Sequence, residues 1–266
     1  MSTLSNLAYI HPDAKIGQNV VVDAFAFIDR NVEIGDGTHI HPHASILSGA
    51  RIGKNNEIYE NAIIAATPQD FRWKGEDSQV VIGDNNKIRE QVIINRSSFA
   101  DGKTEIGSNS FIMAQTHIGH DSKIGNYCVI GNAVKIAGCV EIGNFSILSS
   151  NALVHEKCQL GDWVLIKGGC RVNGHVPPYA VMAHNPISYF GVNAYVLKLA
   201  KKPEHIIDDI AKCYRHVYQT GTSVFNAIRR IKDDVEPSEE REAILAFISG
   251  HEKNLAAVPL RDSEDD

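Results

Sequence analysis

The residues best suited to chemistry are the two histidines and the aspartate of the motif His117-Ile118-Gly119-His120-Asp121. A neutral imidazole can take up a proton near pH 7, so a histidine here suits a general base. The carboxylate of Asp121 can orient the adjacent imidazole. Imidazoles are also zinc ligands, and His117, His120 and His155 could supply three nitrogens if the fold brings them together.

A repeat of six residues indicates what fold must position these side chains. From Ile10 to Val172, 25 of the 28 residues at this spacing are Ile, Val or Leu, and the exceptions are Asp70, Glu76 and Ala100. Such a hexapeptide repeat is the signature of a parallel β-helix. The aliphatic side chains should fill a narrow core, together with the small residues two positions earlier in each repeat.

Two segments interrupt the repeat, at Ala65–Val81 and Asn95–Glu105. The first contains Phe71 and Trp73 and suits an exposed loop that is anchored by aromatic side chains. Insertions in solenoid proteins tend to collect on the binding face. We therefore expect these two segments to lie on that face.

The six-residue phase ends near Pro177, and a helical pattern follows. The spacing of apolar residues predicts one helix from Pro203 to Gly221, a second over Ser223–Asp234 and a third from Pro237. The prediction is a mainly β domain over residues 1–186 and a small C-terminal α-helical domain over residues 187–266 that caps the solenoid. The acidic tail Arg261–Asp266 is expected to fray.

Composition narrows the function. The 266 residues carry a net charge of −6. Nucleic-acid binders show a basic stripe, so the charge argues against a nucleic-acid-binding function. No stretch approaches 18 consecutive apolar residues, so membrane insertion is not expected, and the N-terminal residues do not read as a signal peptide. The five cysteines form no Cys-x-x-Cys pair, which predicts neither a disulfide framework nor a cysteine zinc site and fits a reducing cytoplasm.

Five motifs spread over nearly the whole chain point to one family. They are Pro68–Phe71, Ile82–Glu90, Thr116–Asp121, Pro177–Tyr179 and Phe190–Asn193. Together with the repeat and the helical C-terminus, they resemble the cytoplasmic UDP-N-acetylglucosamine O-acyltransferases of lipid A biosynthesis. The resemblance implies a left-handed, three-sided β-helix and a homotrimer with sites at subunit interfaces. It also implies transfer of a (3-hydroxy)acyl chain from acyl carrier protein to a hydroxyl of UDP-N-acetylglucosamine.

The resemblance assigns a role to most of the candidate site residues. His120 is the general base, Asp121 its orienting partner, and Gly138 the donor of a backbone N–H to the oxyanion. The substrate contacts fall on Gln69, Asp70, Arg72, His117, His155, Glu156, Gly168 and Asn193. No metal and no separate cofactor is implied, because the acyl chain arrives on the phosphopantetheine of acyl carrier protein. Exposed basic residues of the helical domain could attract this acidic partner.

A three-sided coil of hexapeptides takes 18 residues, so residues 18 apart should stack about 4.8 Å apart on neighbouring coils. This places Gly138 on His120 and Glu156 on Gly138, with His155 beside the column. A histidine and a glycine with no side chain can therefore share one face of the solenoid.

The segment after Asn193 departs from the family pattern. Tyr195 stands where the family usually has an acidic residue, and Leu199 and Ala200 replace a pair of arginines used for the nucleotide. Charge-assisted hydrogen bonds contribute about 1.5–3 kcal/mol each, so nucleotide binding should weaken several-fold or more unless Lys201 and Lys202 compensate. Three smaller departures are Arg72 for lysine, Cys139 for histidine and Glu156 for glutamine.

Three other interpretations stay open. The missing arginine pair favours a diverged paralogue that acylates another sugar nucleotide. A trimeric β-helix zinc hydratase would use His117, His120 and His155 as ligands. A solenoid that serves only as a scaffold would need no chemistry at His120.

Overall fold

The computed structural model describes residues 2–258, so the predicted frayed tail Arg261–Asp266 lies outside the described residues. From Thr3 to Val172 short strands, mostly of two residues, alternate with corners. The first strands are β1 (Thr3–Leu4), β2 (Tyr9–Ile10), β3 (Lys15–Ile16), β4 (Val21–Val22), β5 (Phe27–Ile28), β6 (Glu33–Ile34), β7 (His39–Ile40), β8 (Ser45–Ile46), β9 (Ala50–Ile52), β10 (Glu57–Ile58), β11 (Ile63–Ala66), β12 (Gln79–Ile82) and β13 (Lys87–Ile88).

The same alternation continues through the second half of the coil. Its strands are β14 (Ile93–Asn95), β15 (Lys103–Ile106), β16 (Phe111–Ile112), β17 (His117–Ile118), β18 (Lys123–Ile124), β19 (Val129–Ile130), β20 (Lys135–Ile136), β21 (Glu141–Ile142), β22 (Ile147–Leu148), β23 (Leu153–Val154), β24 (Gln159–Leu160), β25 (Leu165–Ile166) and β26 (Arg171–Val172). Corners often hold a residue with positive φ such as Asn19 or Asn55, because asparagine tolerates this conformation.

Every third strand pairs in parallel, which gives the coil three walls. Within the described residues the first wall is an 11-stranded sheet that starts at β1, the second a 9-stranded sheet from β2 to β26, and the third an 8-stranded sheet from β3 to β24. Partners lie 18 residues apart in most of the coil, as His117 and Lys135 do, which confirms the predicted period. The two inserted segments lengthen this spacing, so Glu57 pairs with Lys87 and Lys87 with Phe111.

The repeat residues form the core inside the three walls. Every repeat aliphatic from Val22 to Val172 is at most 4% exposed, as the pattern predicts. The small residues two positions earlier are buried with them, including the free thiols of Cys128, Cys158 and Cys170. Burial of each aliphatic side chain contributes about 1.5–3 kcal/mol, so stability is spread evenly along the coil.

Both insertions leave the coil at the corner that follows the second wall. The longer loop, residues 67–78, joins β11 to β12, and the shorter loop, residues 96–102, joins β14 to β15. The aromatic anchor of the longer loop is Trp73, which lies under the Arg96 guanidinium at 5.4 Å. Phe71 was also expected to anchor the loop, but its side chain is fully exposed because none of residues 2–258 covers it.

The coil ends in a hairpin. Strand β27 (Ala180–Ala183) adds in parallel to β25, and β28 (Ser188–Val192) pairs antiparallel with β27. The predicted boundary between residues 186 and 187 falls in the loop of this hairpin. The hairpin itself was not predicted, because β27 is buried throughout and shows no alternation of apolar and polar residues.

Four helices follow in the described chain: α1 (Ala194–Leu199), α2 (Glu204–Tyr218), α3 (Val224–Asp234) and α4 (Glu239–Gly250). The sequence predicts α2 to α4 and misses α1, whose six residues are too few to show a period. Ser223 and Ser238 cap α3 and α4 by accepting backbone N–H groups. No helix among residues 2–258 is both long and apolar enough to cross a membrane.

The helical domain caps the end of the coil, as predicted. The backbones of His175 and Ala256 are joined by a hydrogen bond of 2.8 Å, and His251 contacts the side chain of Gln159 at 2.6 Å. The hydroxyl of Tyr214 donates to the carbonyl of Pro178. These contacts close the apolar core at the last coil.

Candidate active site

The corner that follows the second wall, here called the second corner, carries the predicted catalytic residues. His120 and Asp121 follow β17, and the imidazole Nδ1 lies 2.8 Å from Oδ2 of Asp121. A carboxylate can only accept, so Nδ1 carries the proton, and in the neutral imidazole Nε2 then keeps a free lone pair. Both side chains are largely shielded, with 12% and 15% exposed. This is the arrangement that a general base requires.

Asp121 is held by contacts that the sequence analysis missed. Its φ is 61°, a conformation common at the corners of this coil. Its N–H donates to Oγ1 of the buried Thr104 at 2.8 Å, and Oδ2 accepts the N–H of Ser98 at 3.1 Å. The carboxylate that orients His120 is therefore fixed by its own backbone and by the shorter loop.

Gly138 stacks on His120 as predicted from the 18-residue period. A Cβ added at Gly138 would lie 2.4 Å from both Cε1 and Nε2 of His120, so a side chain does not fit while the imidazole keeps its position. The carbonyl of Gly138 accepts the N–H of Lys157, whereas its own N–H has no hydrogen-bond partner within residues 2–258. An unpaired N–H beside the imidazole can serve an oxyanion.

The longer loop brings Asp70 and Arg72 to the same corner. Oδ2 of Asp70 lies 3.8 Å from Nε2 of His120, on the side opposite Asp121. Arg72 donates to Asp70 through its backbone N–H at 2.9 Å and through Nε at 3.0 Å. The Arg72 guanidinium holds the pKa of the Asp70 carboxyl well below its usual range. Arg72 also lies 3.9 Å from Glu156, and its guanidinium packs over Phe99.

His117 and His155 line an open groove of about 430 Å³ on the second wall. His117 contacts Oδ1 of Asn95 at 2.7 Å, and burial, followed by the charge of Lys135, lowers the pKa of its imidazole. His155 accepts from Nε of Arg171 at 2.7 Å. Leu153, which is 41% exposed, and the partly exposed Ala137 add apolar surface to the lining, so the groove suits a chain that is partly apolar.

Comparison with known proteins points to the same family as the sequence motifs. Residues 175–256 match the model for domain 2 of UDP N-acetylglucosamine O-acyltransferase, residues 103–138 match six bacterial transferase hexapeptide repeats, and residues 4–104 match the GMPPB C-terminal domain. Two curated acyl-[acyl-carrier-protein]–UDP-N-acetylglucosamine O-acyltransferases are similar to this chain over 93% of its length. The protein of Syntrophobacter fumaroxidans is 34% identical over 97% of its own length, and that of Xanthomonas euvesicatoria 37% over 95%.

The chain belongs to the UDP-N-acetylglucosamine O-acyltransferase family. A crystal structure of a UDP-N-acetylglucosamine acyltransferase from Bacteroides fragilis is 45% identical, with a TM-score of 0.91 over 93% of this chain and 97% of that one. The Francisella novicida enzyme is 35% identical, with the same TM-score over 98% and 95%. The predicted left-handed β-helix with a helical C-terminal domain is thereby confirmed.

Some of the residues expected to bind substrate in this acyltransferase lie away from His120. Gln69 is exposed on the longer loop. Gly168 lies after β25 on the first wall, and an added Cβ there would approach only Ser150 closely, at 3.1 Å from its carbonyl oxygen. The side chain of Asn193 is buried before α1 and donates to the carbonyl of Trp163 at 2.9 Å. Their roles stay predictions.

The departures from the family pattern lie on α1 and just after it. Tyr195 and Leu199 are 75% and 65% exposed, so this acyltransferase presents an aromatic ring where an acidic residue was expected and an aliphatic side chain where an arginine was expected. The ammonium group of Lys202 is bound to the carboxylate of Glu240, whose side chain is largely buried. Lys202 therefore does not replace a lost arginine in the chain as it stands, while Lys201 stays exposed.

The three histidines of the zinc hydratase interpretation do not converge within this chain. Among residues 2–258, two groups hold three potential metal ligands within 4.8 Å of one another: Asp23 with His39 and His41, and His120 with Asp121 and Cys139. His117 is bound to Asn95 and His155 to Arg171. The thiol of Cys139 is partly buried, and burial together with the charges of Asp121 and Glu156 raises its pKa.

Proposed function

We propose that this chain transfers a (3-hydroxy)acyl group from acyl carrier protein to a hydroxyl of UDP-N-acetylglucosamine, the first step of lipid A biosynthesis. The names of its relatives support the two substrates. The observation that carries the chemistry is the position of His120. Its imidazole is hydrogen-bonded to Asp121 and lies so close to Gly138 that no side chain would fit on the glycine.

The reaction follows from the positions of three groups. Nε2 of His120 takes the proton of the sugar hydroxyl while the hydroxyl oxygen attacks the thioester carbonyl carbon. The N–H of Gly138 donates to the oxyanion of the tetrahedral intermediate, and Asp121 stabilises the imidazolium. When the intermediate collapses, the C–S bond breaks and the phosphopantetheine sulfur receives the proton from His120. These reaction steps need no metal and no additional cofactor.

Substrate binding engages the longer loop and the groove. Asp70 is 3.8 Å from Nε2 of His120, so a sugar hydroxyl that contacts Asp70 lies beside the base. Arg72 and Gln69 extend this contact region toward the phosphates. The acyl chain runs along the groove past His117 and His155. Gly168, which the resemblance assigns to the acyl channel, leaves room for a long chain. Glu156 and Asn193 complete the set assigned to substrate.

Acyl carrier protein is the proposed donor and is an acidic partner. Exposed cationic side chains on the helical domain are available to attract it, namely Lys198, Lys201, Arg229 and Arg230. Lys198 lies 3.3 Å from the carboxylate of Glu204, and both side chains are exposed. Charge reversal at Arg229 and Arg230 should raise the KM for the carrier without changing that for the sugar nucleotide.

A homotrimer in the cytoplasm is the proposed state. Gly168 and Asn193 lie off the second corner of their own chain, so a neighbouring subunit is needed to bring such residues to His120. The fully exposed Phe71 is a candidate contact for that neighbour. Sedimentation equilibrium of the purified chain tests the stoichiometry, and a monomer that is active would contradict it.

The direct test uses the purified chain, acyl carrier protein charged with 3-hydroxyacyl groups, and UDP-N-acetylglucosamine. Mass spectrometry should detect one added acyl group on the sugar nucleotide. His120→Ala should abolish it, while His205→Ala, which alters an exposed histidine of α2, should not. Absence of product with every chain length from short to long would overturn the proposal.

The exposed residues of α1 favour a second candidate for the acceptor sugar nucleotide. Tyr195 and Leu199 expose ring and aliphatic surface where the family pattern has charge. A related UDP-sugar with a different substituent could therefore be the better acceptor. Calorimetric titration with several UDP-sugars decides between them, since the true acceptor should bind at least about tenfold more tightly, a difference of about 1.4 kcal/mol.

A further inference from the structure

Cys139 occupies a position that the proposed reaction does not use. It follows Gly138 at the second corner and lies one coil above Asp121, with a φ of 58° that matches the 61° of Asp121. Its N–H donates to the carbonyl of His120 at 2.8 Å, which fixes the backbone of the cysteine against the catalytic residue. The thiol is free and only partly buried.

Three different ligand atoms meet here. His120 offers a nitrogen, Asp121 an oxygen and Cys139 a sulfur, all within 4.8 Å of one another. The other such group in the described residues, Asp23 with His39 and His41, contains no thiol. Zn²⁺ and softer ions of the same charge prefer thiolate and imidazole ligands over carboxylates alone.

We propose that His120, Asp121 and Cys139 form a binding site for a thiophilic divalent cation, such as Zn²⁺ or Cd²⁺, that switches off acyl transfer. Ligand atoms in a tetrahedral zinc site lie roughly 3.3–3.8 Å apart. Nδ1 and Oδ2 lie 2.8 Å apart and must separate by about 0.5 Å once the proton between them is replaced. The sulfur lies within 4.8 Å of a ligand atom of each residue, so it must approach by up to about 1 Å, which a change of the Cys139 side-chain rotamer can supply.

Metal binding at Nδ1, the nitrogen that faces Asp121, removes the base. The cation takes the place of the ring proton, and the imidazole then keeps its single proton on Nε2, where it cannot accept another. The thiol proton of Cys139 leaves to solvent as the Sγ–metal bond forms. The inhibition rests on the proposed function, whereas the binding does not.

Cadmium binding at this site can be measured without an activity assay, because a cadmium–thiolate bond gives an ultraviolet charge-transfer band. The full chain, freed of metal with a chelator, should develop this band with one Cd²⁺ per chain and lose acyl transfer over the same range. Cys139→Ala and Cys139→Ser should lack the band and require at least about tenfold more Cd²⁺ for inhibition. Without metal, both should keep the basal rate.

A matched control removes a thiol elsewhere. Cys158→Ala changes a buried core position that is often alanine in this repeat, and it should keep both the band and the inhibition. A band that survives in both Cys139 variants, or no band at inhibitory concentrations, would overturn the proposal. If the chain proves inactive with these substrates, the band still decides the metal site independently of the proposed function.

Discussion

The substitution Gly138→Ala isolates the contact between the glycine and the catalytic imidazole. The new Cβ would lie 2.4 Å from Cε1 and Nε2 of His120, whereas ordinary carbon contacts begin near 3.4 Å. The ring must therefore move by about 1 Å. Gly138 has no positive φ that would strain an alanine backbone, so the clash with the imidazole is the main perturbation.

A shift of this size breaks the alignment of the base. The 2.8 Å bond from Nδ1 to Asp121 cannot persist unchanged, and a misplacement of about 1 Å reduces rates by about 100-fold. That factor corresponds to about 2.7 kcal/mol of transition-state free energy. We expect kcat to fall by this amount while the thermal midpoint changes little.

The assay is acyl transfer from the charged carrier to UDP-N-acetylglucosamine, with kcat and KM measured separately. The downfield proton signal of the His120 Nδ1–H should shift or disappear in the variant. Gly250→Ala is the control, because a Cβ at that position meets nothing within 4 Å. A Gly138→Ala enzyme with kcat within about threefold of the parent would refute the stacking argument.

Other perturbations test the supporting contacts. Asp121→Asn should lower kcat by about 100-fold or more with little change in KM, because the amide cannot enforce Nδ1–H on His120; equal kcat values would contradict this. Thr104→Val should destabilise the fold by about 1–3 kcal/mol in urea unfolding, because the N–H of Asp121 loses its buried acceptor. Arg72→Ala should raise the pKa of Asp70 toward its usual range in a carboxyl NMR titration, with Arg72→Lys intermediate. Burial lowers the pKa of His117, so protonation favours the unfolded chain, and stability should fall as the pH drops below about 6.5; His117→Gln should reduce that slope in unfolding measurements across pH.

The longer and shorter loops show where the reasoning from period alone stops. Asn95 contacts His117 although the two are 22 residues apart, and Ser98 contacts Asp121 at a separation of 23. The insertions change the spacing between neighbouring coils, so a fixed offset of 18 does not find these pairs. The sequence did carry a signal, because a buried polar residue at the end of a strand beside an insertion is a candidate partner for the next coil.

The sequence alone determined the coil and the stack of His120, Gly138 and Glu156 at the second corner. The hexapeptide period is a local pattern, and each repeat buries the same aliphatic position, so the stacking of Gly138 on His120 follows from counting. The sequence could not determine that Asp70 lies across from Asp121, that Lys202 binds Glu240, or that Asn193 is buried against Trp163. Those contacts join segments that no common repeat relates, and only tertiary packing sets the distance between them.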